Sequence, residues 1–439
     1  MTKLFGTDGV RGVAGELLSA ELALALGKAG AGHAHAEHPR VLIVRDTRES
    51  GEMLQAALAA GVSAAGGEAL LGGVLPTPAA PLLLKRYGLD LAVVISASHN
   101  PYRDNGLKFF AADGFKLSDE DEIAIEAELG QAPGGAPART IGRVRELRGT
   151  HEDYLRELES RFAELRLDGL DVLLDCANGA TYKVAPEIFR RLGAQVTVLA
   201  DAPDGRNINE GCGSTHIAAL GERVREGGHA LGLAFDGDGD RVLAVDRAGA
   251  VVDGDELIAL AALHLRADRR LAGDGVVVTV MTNYGFHTAM ADAGIAVAST
   301  NVGDRYVLEE LRRREWALGG EQSGHIIEMG FNSTGDGIAG ALLTLEALGG
   351  RDLSERDAMH KLPQRLVNVK VRDKGAFAHA HKVAEAVQAE DSALSGRGRV
   401  LVRASGTEPL VRVMVEAPTD EEADATCSRL VSLVEHELA

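Results

Sequence analysis

The 439-residue sequence is short of cysteine and of aromatic side chains, with three cysteines, one tryptophan and an aromatic content of 4%. Cys176, Cys212 and Cys427 lie far apart and form no CxxC, which excludes a disulfide framework and a thiolate metal site and fits a reducing compartment. No apolar run approaches the ~18 residues of a membrane-spanning helix. The opening MTKLFGTDGVRG lacks the apolar core of a secretory signal, so a soluble cytoplasmic chain without a membrane partner is expected. Positive charge is also scarce, with 46 Lys+Arg against 65 Asp+Glu and a net charge of -19. Phosphate backbones are held by clustered Lys and Arg, so nucleic acid is not an expected partner. The deficit weighs little against small phosphorylated ligands, because surface charge is screened within about 8 Å at physiological salt and a few arginines can dominate one cleft.

What is present describes an ordinary globular protein, 45% hydrophobic and 25% charged, long enough for two to four domains. Three stretches share one grammar: RVLIVRDTRESGEMLQAALAAGVSAAGGEALLGG from Arg40, LDVLLDCANGATYKVAPEIFRRLGAQVTVLA from Leu170, and DGVVVTVMTNYGFHTAMADAGIAVAST from Asp274. Each reads as an apolar strand, a polar loop, an amphipathic helix closed by Gly, and a second strand, the βαβ rhythm of a parallel sheet. Each is followed by a further apolar run that stops at a polar loop: LAVVISASHN, ALGLAFDGDGD and WALGGEQSGH. Ligands of open α/β sheets gather beyond the carboxyl ends of strands, so the three loops are expected at one cleft. The joints fall near Gly149, Val252 and Pro363, dividing the chain into 1-150, 151-252, 253-363 and 364-439. GQAPGGAPART from Gly130 reads as a connection or a surface loop, and the last part, with strand-like RLVNVKV, RVLVRASG and LVRVMVEA before an acidic helix, reads as a smaller α+β domain.

Four loops carry chemistry. FDGDGDR sets Asp236, Asp238 and Asp240 at alternate positions, where glycines let three carboxylates curl onto one hard cation. An EF-hand is excluded by Arg241 and Arg247, which stand where that loop needs Gly and Glu; Mg²⁺ or a similar ion suits the site better. ISASHNPYRDNGLK ends a strand in Ser98, His99 and Lys108; a serine on such a turn suits a nucleophile or phosphate carrier, though SASHNP alone is equally a polar turn. No GxSxG elbow surrounds it. GGEQSGH offers Glu321, Ser323 and His325 to sugar hydroxyls, but alone reads better as a plain turn. RASGTEPLVR combines Arg403, Ser405, Thr407 and Arg412, a phosphate-binding set, or else a strand-to-helix turn with surface arginines. The histidines of GHAHAEHP, His33, His35 and His38, read as a solvated surface. GTDGVRG puts Arg11 on a glycine-rich turn suited equally to phosphate contact and to packing.

Taken together, from GTDGVRG to RASGTEPLVR, these loops resemble those of the α-D-phosphohexomutases over nearly the whole chain. The resemblance implies three related α/β domains with mixed sheets around a central cleft, plus a smaller C-terminal α+β domain. It implies that Ser98 is a phosphoserine and, through its phosphate, a ligand of one Mg²⁺ per chain held by Asp236, Asp238 and Asp240, with Arg241 completing the motif. Glu321 and Ser323 match sugar contacts, and VGDRY places Gly303, Asp304 and Arg305 on a loop that helps choose the sugar. Arg403, Ser405, Gly406, Thr407 and Arg412 match the loop for the phosphate not being transferred, while Lys108, His99 and Arg11 match residues near the transferring phosphoryl group. Within the family ISASHNP, GGEQSGH and GTDGVRG look most like bacterial members acting on glucosamine phosphates. The implied reaction interconverts the 6- and 1-phosphates through glucosamine 1,6-bisphosphate, also a donor for priming, and feeds UDP-N-acetylglucosamine synthesis. Glucose or mannose phosphates are the alternative substrates, and a homodimer is what the resemblance suggests. A phosphohydrolase and a non-catalytic sugar-phosphate sensor are more distant readings, since sensing alone needs no nucleophile.

Overall fold

A computed structural model describes residues 4–6, 8–34, 36–129, 141–405 and 409–438. In chain order the first part contains β1 (Val10–Val13), α1 (Ala20–His33), β2 (Arg40–Arg45), α2 (Ser50–Ala64), β3 (Glu68–Val74), α3 (Ala79–Tyr87), β4 (Leu91–Ile95), β5 (Asp104–Ala111), α4 (Asp119–Leu129) and β6 (Arg143–Glu146). There follow α5 (Thr150–Arg161), β7 (Asp171–Asp175), α6 (Val184–Arg191), β8 (Gln195–Leu199), α7 (Ile217–Gly227), β9 (Leu231–Phe235), β10 (Val242–Asp246) and β11 (Val251–Val252). The third part has α8 (Gly254–Ala267), β12 (Gly275–Thr279), α9 (Tyr284–Asp292), β13 (Ala296–Thr300), α10 (Asp304–Arg314), β14 (Leu318–Gly320), β15 (Ile326–Glu328) and α11 (Gly337–Leu348). The last has β16 (Gln364–Lys370), α12 (His381–Ala393), β17 (Arg399–Ala404), β18 (Leu410–Glu416) and α13 (Asp420–Leu438).

The three βαβ stretches build sheets of one design. Their strand orders contain β3-β2-β4-β5, β8-β7-β9-β10 and β13-β12-β14-β15. In the first two, the opening three strands are parallel and the fourth returns antiparallel. In the third, β14 runs parallel to β12 and β15 returns antiparallel. The sheets are therefore mixed, and the turn into the returning strand is SASHN, DGDGD or EQSGH. The first sheet also carries β1 antiparallel to β5 and β6 parallel to β3, two edge strands too short to stand out in the sequence. Strands such as β4, LAVVI, are buried on both faces, which is why they read as continuous apolar runs. Helix starts follow capping chemistry: Ser19, Asp253 and Asp336 each accept a backbone N–H at the first turns of α1, α8 and α11.

The described residues form two compact units, Met1–Val280 with Ala298–Arg356, and Met281–Val297 with Asp357–Ala439. The second holds the antiparallel sheet β16-β18-β17, whose Val369, Val411, Val413 and Val415 pack with Leu430 and Val434 of α13. RASGTEPLVR joins β17 to β18 as a hairpin, not a strand to a helix. GQAPGGAPART lies outside the described residues. No helix among them is long and apolar enough to cross a membrane.

Candidate active site

Ser98 stands just past the end of β4 in a left-handed conformation, φ 52°, which costs a residue with a Cβ about 1–2 kcal/mol. Two side chains fix it there. Arg48, fully buried, donates to the carbonyls of Ser98 (3.1 Å) and Asn100 (2.6 Å), and Asn209 donates to the same two at 3.0 and 3.2 Å. Arg48 is itself paired with buried Asp46, to which Ser96 donates, and the Ser96 hydroxyl receives the Ser98 N–H at 3.0 Å. Gly237 is required opposite, because a Cβ there would lie 2.6 Å from the Ser98 carbonyl oxygen. Neither Arg48 nor Asn209 was legible as functional; the only signal is a charged group in DTRES directly after a buried strand. Replacing Arg48 with Met would strand the buried Asp46 charge, and we expect a loss of about 3–5 kcal/mol, read as an earlier first transition in urea unfolding.

The Ser98 hydroxyl donates to Asp236 Oδ2 at 2.5 Å and lies 3.3 Å from His99 Nδ1. Asp236, Asp238 and Asp240 are buried with ligand oxygens within 4.8 Å of one another. Burial, then Asp240 and Asp238, push the Asp236 carboxyl well above its usual range. The Asp238 and Asp240 Oδ1 atoms are buried and make no hydrogen bond. Orphaned carboxylate oxygens converging on one point beside a serine hydroxyl fit a hard divalent cation with open positions for phosphate oxygens.

Cations surround this cluster. Lys108 Nζ lies 2.8 Å from Asp238 Oδ2, 3.0 Å from Asp8 and 3.7 Å from Asp240. Burial opposes its charge, but the three carboxylates outweigh burial and hold Lys108 protonated far above the usual lysine range. Thr77 Oγ1 donates to the same Asp238 oxygen at 2.6 Å. Arg11 pairs with Asp8, and Arg241 Nε is 3.8 Å from Asp240, its backbone N–H donating to Asp236 at 3.2 Å. Burial, followed by Arg241 and Arg11, lowers His99 below the usual histidine value. Asp8 is the hub the sequence concealed: it lies inside GTDGVRG, where Arg11 drew notice, and takes Lys108, Arg11 and Lys116 together.

The sugar-type loop is partly redirected. His325, expected at sugar hydroxyls, is buried; its Nε2 accepts the Gly335 N–H at 3.0 Å and its Nδ1 is 3.6 Å from Asp240, so it supports the acidic loop. Glu321 accepts the Gly303 N–H at 2.9 Å, and Ser323 is half-buried beside it. Asp304 and Arg305, expected to contact substrate, have their side chains engaged by the protein. Asp304 pairs with Lys116; Arg305 is 3.0 Å from Asp119, 3.6 Å from Glu122 and 3.2 Å from Glu309. A cavity of about 310 Å³ is lined by Lys108, Lys116, Asp304, Arg305 and His325.

In the second unit Arg403 and Arg412 face each other directly across the β17–β18 pair. Burial and Arg412 depress the Arg403 guanidinium. Like charges opposed on a sheet are unfavourable without an anion between them. Ser405 closes the hairpin through its N–H to Leu410 at 2.8 Å; Gly406 and Thr407 lie outside the described residues. Of the histidine cluster, His33 bonds Asp121 at 2.7 Å and His38 is exposed, while His35 falls outside the described residues. Among the described residues the three aspartates are the one group arranged to hold a metal.

Models of phosphoglucomutase/phosphomannomutase domains match along the chain: alpha/beta/alpha domain I over 2–133, II over 152–249, III over 253–366 and the C-terminal domain over 366–433. A phosphoglucosamine mutase of Moorella thermoacetica is 53% identical over 433 residues, 97% of each chain. The fold is shared with a phosphoglucomutase/phosphomannomutase family protein of Burkholderia thailandensis, TM-score 0.83 at 22% identity over 100% of this chain and 98% of that one. It is shared too with Aspergillus fumigatus N-acetylphosphoglucosamine mutase in complex with GlcNAc-6P and magnesium, TM-score 0.68 at 18% identity over 99% and 96%. With four domain models in order and a half-identical relative along its full length, the chain belongs to the phosphoglucomutase/phosphomannomutase family of α-D-phosphohexomutases.

Proposed function

We propose that the protein is a phosphohexomutase that interconverts glucosamine 6-phosphate and glucosamine 1-phosphate, with Ser98 as the phosphoryl carrier. The observation that carries it is the Ser98 hydroxyl, held in a strained turn 2.5 Å from an acidic triad that lies against a permanently charged lysine. In the forward direction the O1 oxygen of glucosamine 6-phosphate attacks the phosphorus of phospho-Ser98. The P–Oγ bond breaks, and glucosamine 1,6-bisphosphate forms. The intermediate reorients, Ser98 Oγ attacks the 6-phosphate, and O6 leaves with a proton. His99 Nδ1, 3.3 Å from Oγ, is placed to exchange protons with it.

Phosphoryl transfer asks mainly for in-line positioning and for charge opposite the transferring oxygens. Lys108 and Arg241 supply that charge, and Arg48 with Asn209 fix the Oγ direction. Asp236, Asp238 and Asp240 would hold one Mg²⁺, which when bound offsets phosphoryl charge. Glu321 and Ser323 meet the sugar. Arg403, Ser405, Gly406, Thr407 and Arg412 grip whichever phosphate is not reacting; two mutually repelling arginines suit a dianion presented from either end. Priming by glucosamine 1,6-bisphosphate charges an idle Ser98.

The sugar is tested by kcat/KM for glucosamine, glucose and mannose 6-phosphates. We expect glucosamine to lead by at least tenfold, as roughly one substituent's discrimination allows; a lead by glucose or mannose would make the protein a phosphoglucomutase or phosphomannomutase. Arg412→Ala should raise KM by roughly 10–100-fold, the loss of a charge-assisted bond, without lowering the unfolding midpoint, because the opposed Arg403 is relieved. Unchanged KM would remove the phosphate-grip role.

A further inference from the structure

We propose that Lys116 is the positioning residue that sets which sugar the protein accepts, by registering the Gly303–Arg305 loop against the catalytic lysine. The inference rests on the mutase reading and assigns a residue that neither the motifs nor that reading used. Lys116 lies on the turn between β5 and α4, its side chain 16% exposed. Its ammonium joins Asp8 on one side and Asp304 on the other. The second oxygen of Asp8 is 3.0 Å from Lys108 Nζ, so Lys116 is one carboxylate away from the charge that faces the phosphoryl group. Asp304 opens α10 and turns its other oxygen to the Arg305 N–H at 2.8 Å, which ties its side chain to the loop backbone.

The rest of the turn is gripped from the same third part of the chain. Ser333 donates to the Gly114 carbonyl, and the Arg312 guanidinium lies 4.2 Å from the Phe115 ring centre. Three consecutive residues, Gly114, Phe115 and Lys116, are thereby fastened to the part that bears Glu321. The loop's other end is fixed by Glu321 itself through the Gly303 N–H. With the Asp304 and Arg305 side chains occupied inside the protein, the loop selects the sugar through where its backbone stands. Lys116 determines that placement. Lys116→Met keeps the stem and the packing but leaves two carboxylates facing each other without an ammonium between them, and they must part. A displacement of about 1 Å in a positioning element can cost about 100-fold in rate.

The test uses the full-length protein, phosphorylated on Ser98, with glucosamine and glucose 6-phosphates. Lys116→Met should lower kcat/KM for glucosamine 6-phosphate by about 30–100-fold, chiefly through KM, and shrink the preference over glucose 6-phosphate by about tenfold or more. Loss of the phosphoryl group to water in the absence of sugar should stay within about twofold, a readout that general damage to the site would move. Lys116→Arg should recover most of the preference. Asp304→Asn cuts the same bridge and should reproduce the loss, which keeps the test open if the Met variant folds poorly; the double variant should lose no more than either single one. Wild-type preference in both single variants, or an equal rise in phosphoserine hydrolysis, overturns the role of Lys116. Wild-type protein that turns over neither sugar phosphate overturns the mutase reading, and the inference with it.

Discussion

Ser98→Ala protein is expected to carry no phosphoryl group by intact mass, and to lose mutase activity by roughly 10⁴–10⁶-fold, the scale on which removing a nucleophile acts. The loss has a purely chemical origin, because Arg48, Asn209 and Ser96 hold the turn through backbone atoms that alanine retains. A control separates chemistry from folding. Ser98→Gly is equally inactive but should be more stable than Ser98→Ala by about 1 kcal/mol, since glycine takes φ near +52° without the Cβ clash. Wild-type activity in Ser98→Ala would end the carrier role. Wild-type protein that releases inorganic phosphate from substrate in place of product would turn the site into a phosphohydrolase.

The placement of Ser98 and of the aspartates was legible because each sits where a fully buried strand stops. LAVVI and LGLAF cannot be mistaken for exposed segments, and a polar loop after such a strand has few places to go except the sheet's carboxyl edge. The returning antiparallel strand makes three loops equivalent, which the repeated apolar–polar boundary already hinted. What sequence could not supply were partners more than a hundred positions away. Lys108 to Asp238 spans 130 residues and Lys116 to Asp304 spans 188. Asp8, Lys116 and Arg48 each look like ordinary surface charge in a linear reading, and only three-dimensional packing shows that they are paired inside the protein. His325 was misassigned for the same reason. A histidine after Ser-Gly is a fair sugar contact by type, but the loop turns its ring inward to Gly335 and Asp240.

Asp236→Asn should abolish the response to Mg²⁺ while leaving the metal-free protein at least as stable as wild type. Three buried carboxylates with ligand atoms within 4.8 Å repel one another, on the order of 3–4 kcal/mol for each ionised pair at an effective dielectric near 20. Asp236 bears most of that strain, since burial and its two neighbours already disfavour its charge. The amide keeps the shape and an acceptor for the Ser98 hydroxyl, so removing the charge relieves repulsion without opening a cavity. With Mg²⁺ the order reverses. Wild type should gain about 2.7 kcal/mol at a hundredfold excess over Kd by mass action, whereas the variant, short one hard ligand, should gain little. Activity should fall by about 10³-fold, as expected when one preorganised electrostatic contact to the transition state is lost. Thermal unfolding with and without Mg²⁺, together with calorimetric titration of the metal, reads both halves independently of turnover. A variant that unfolds earlier without metal, yet binds Mg²⁺ like wild type, would show that Asp236 serves the turn around Ser98 and not a cation.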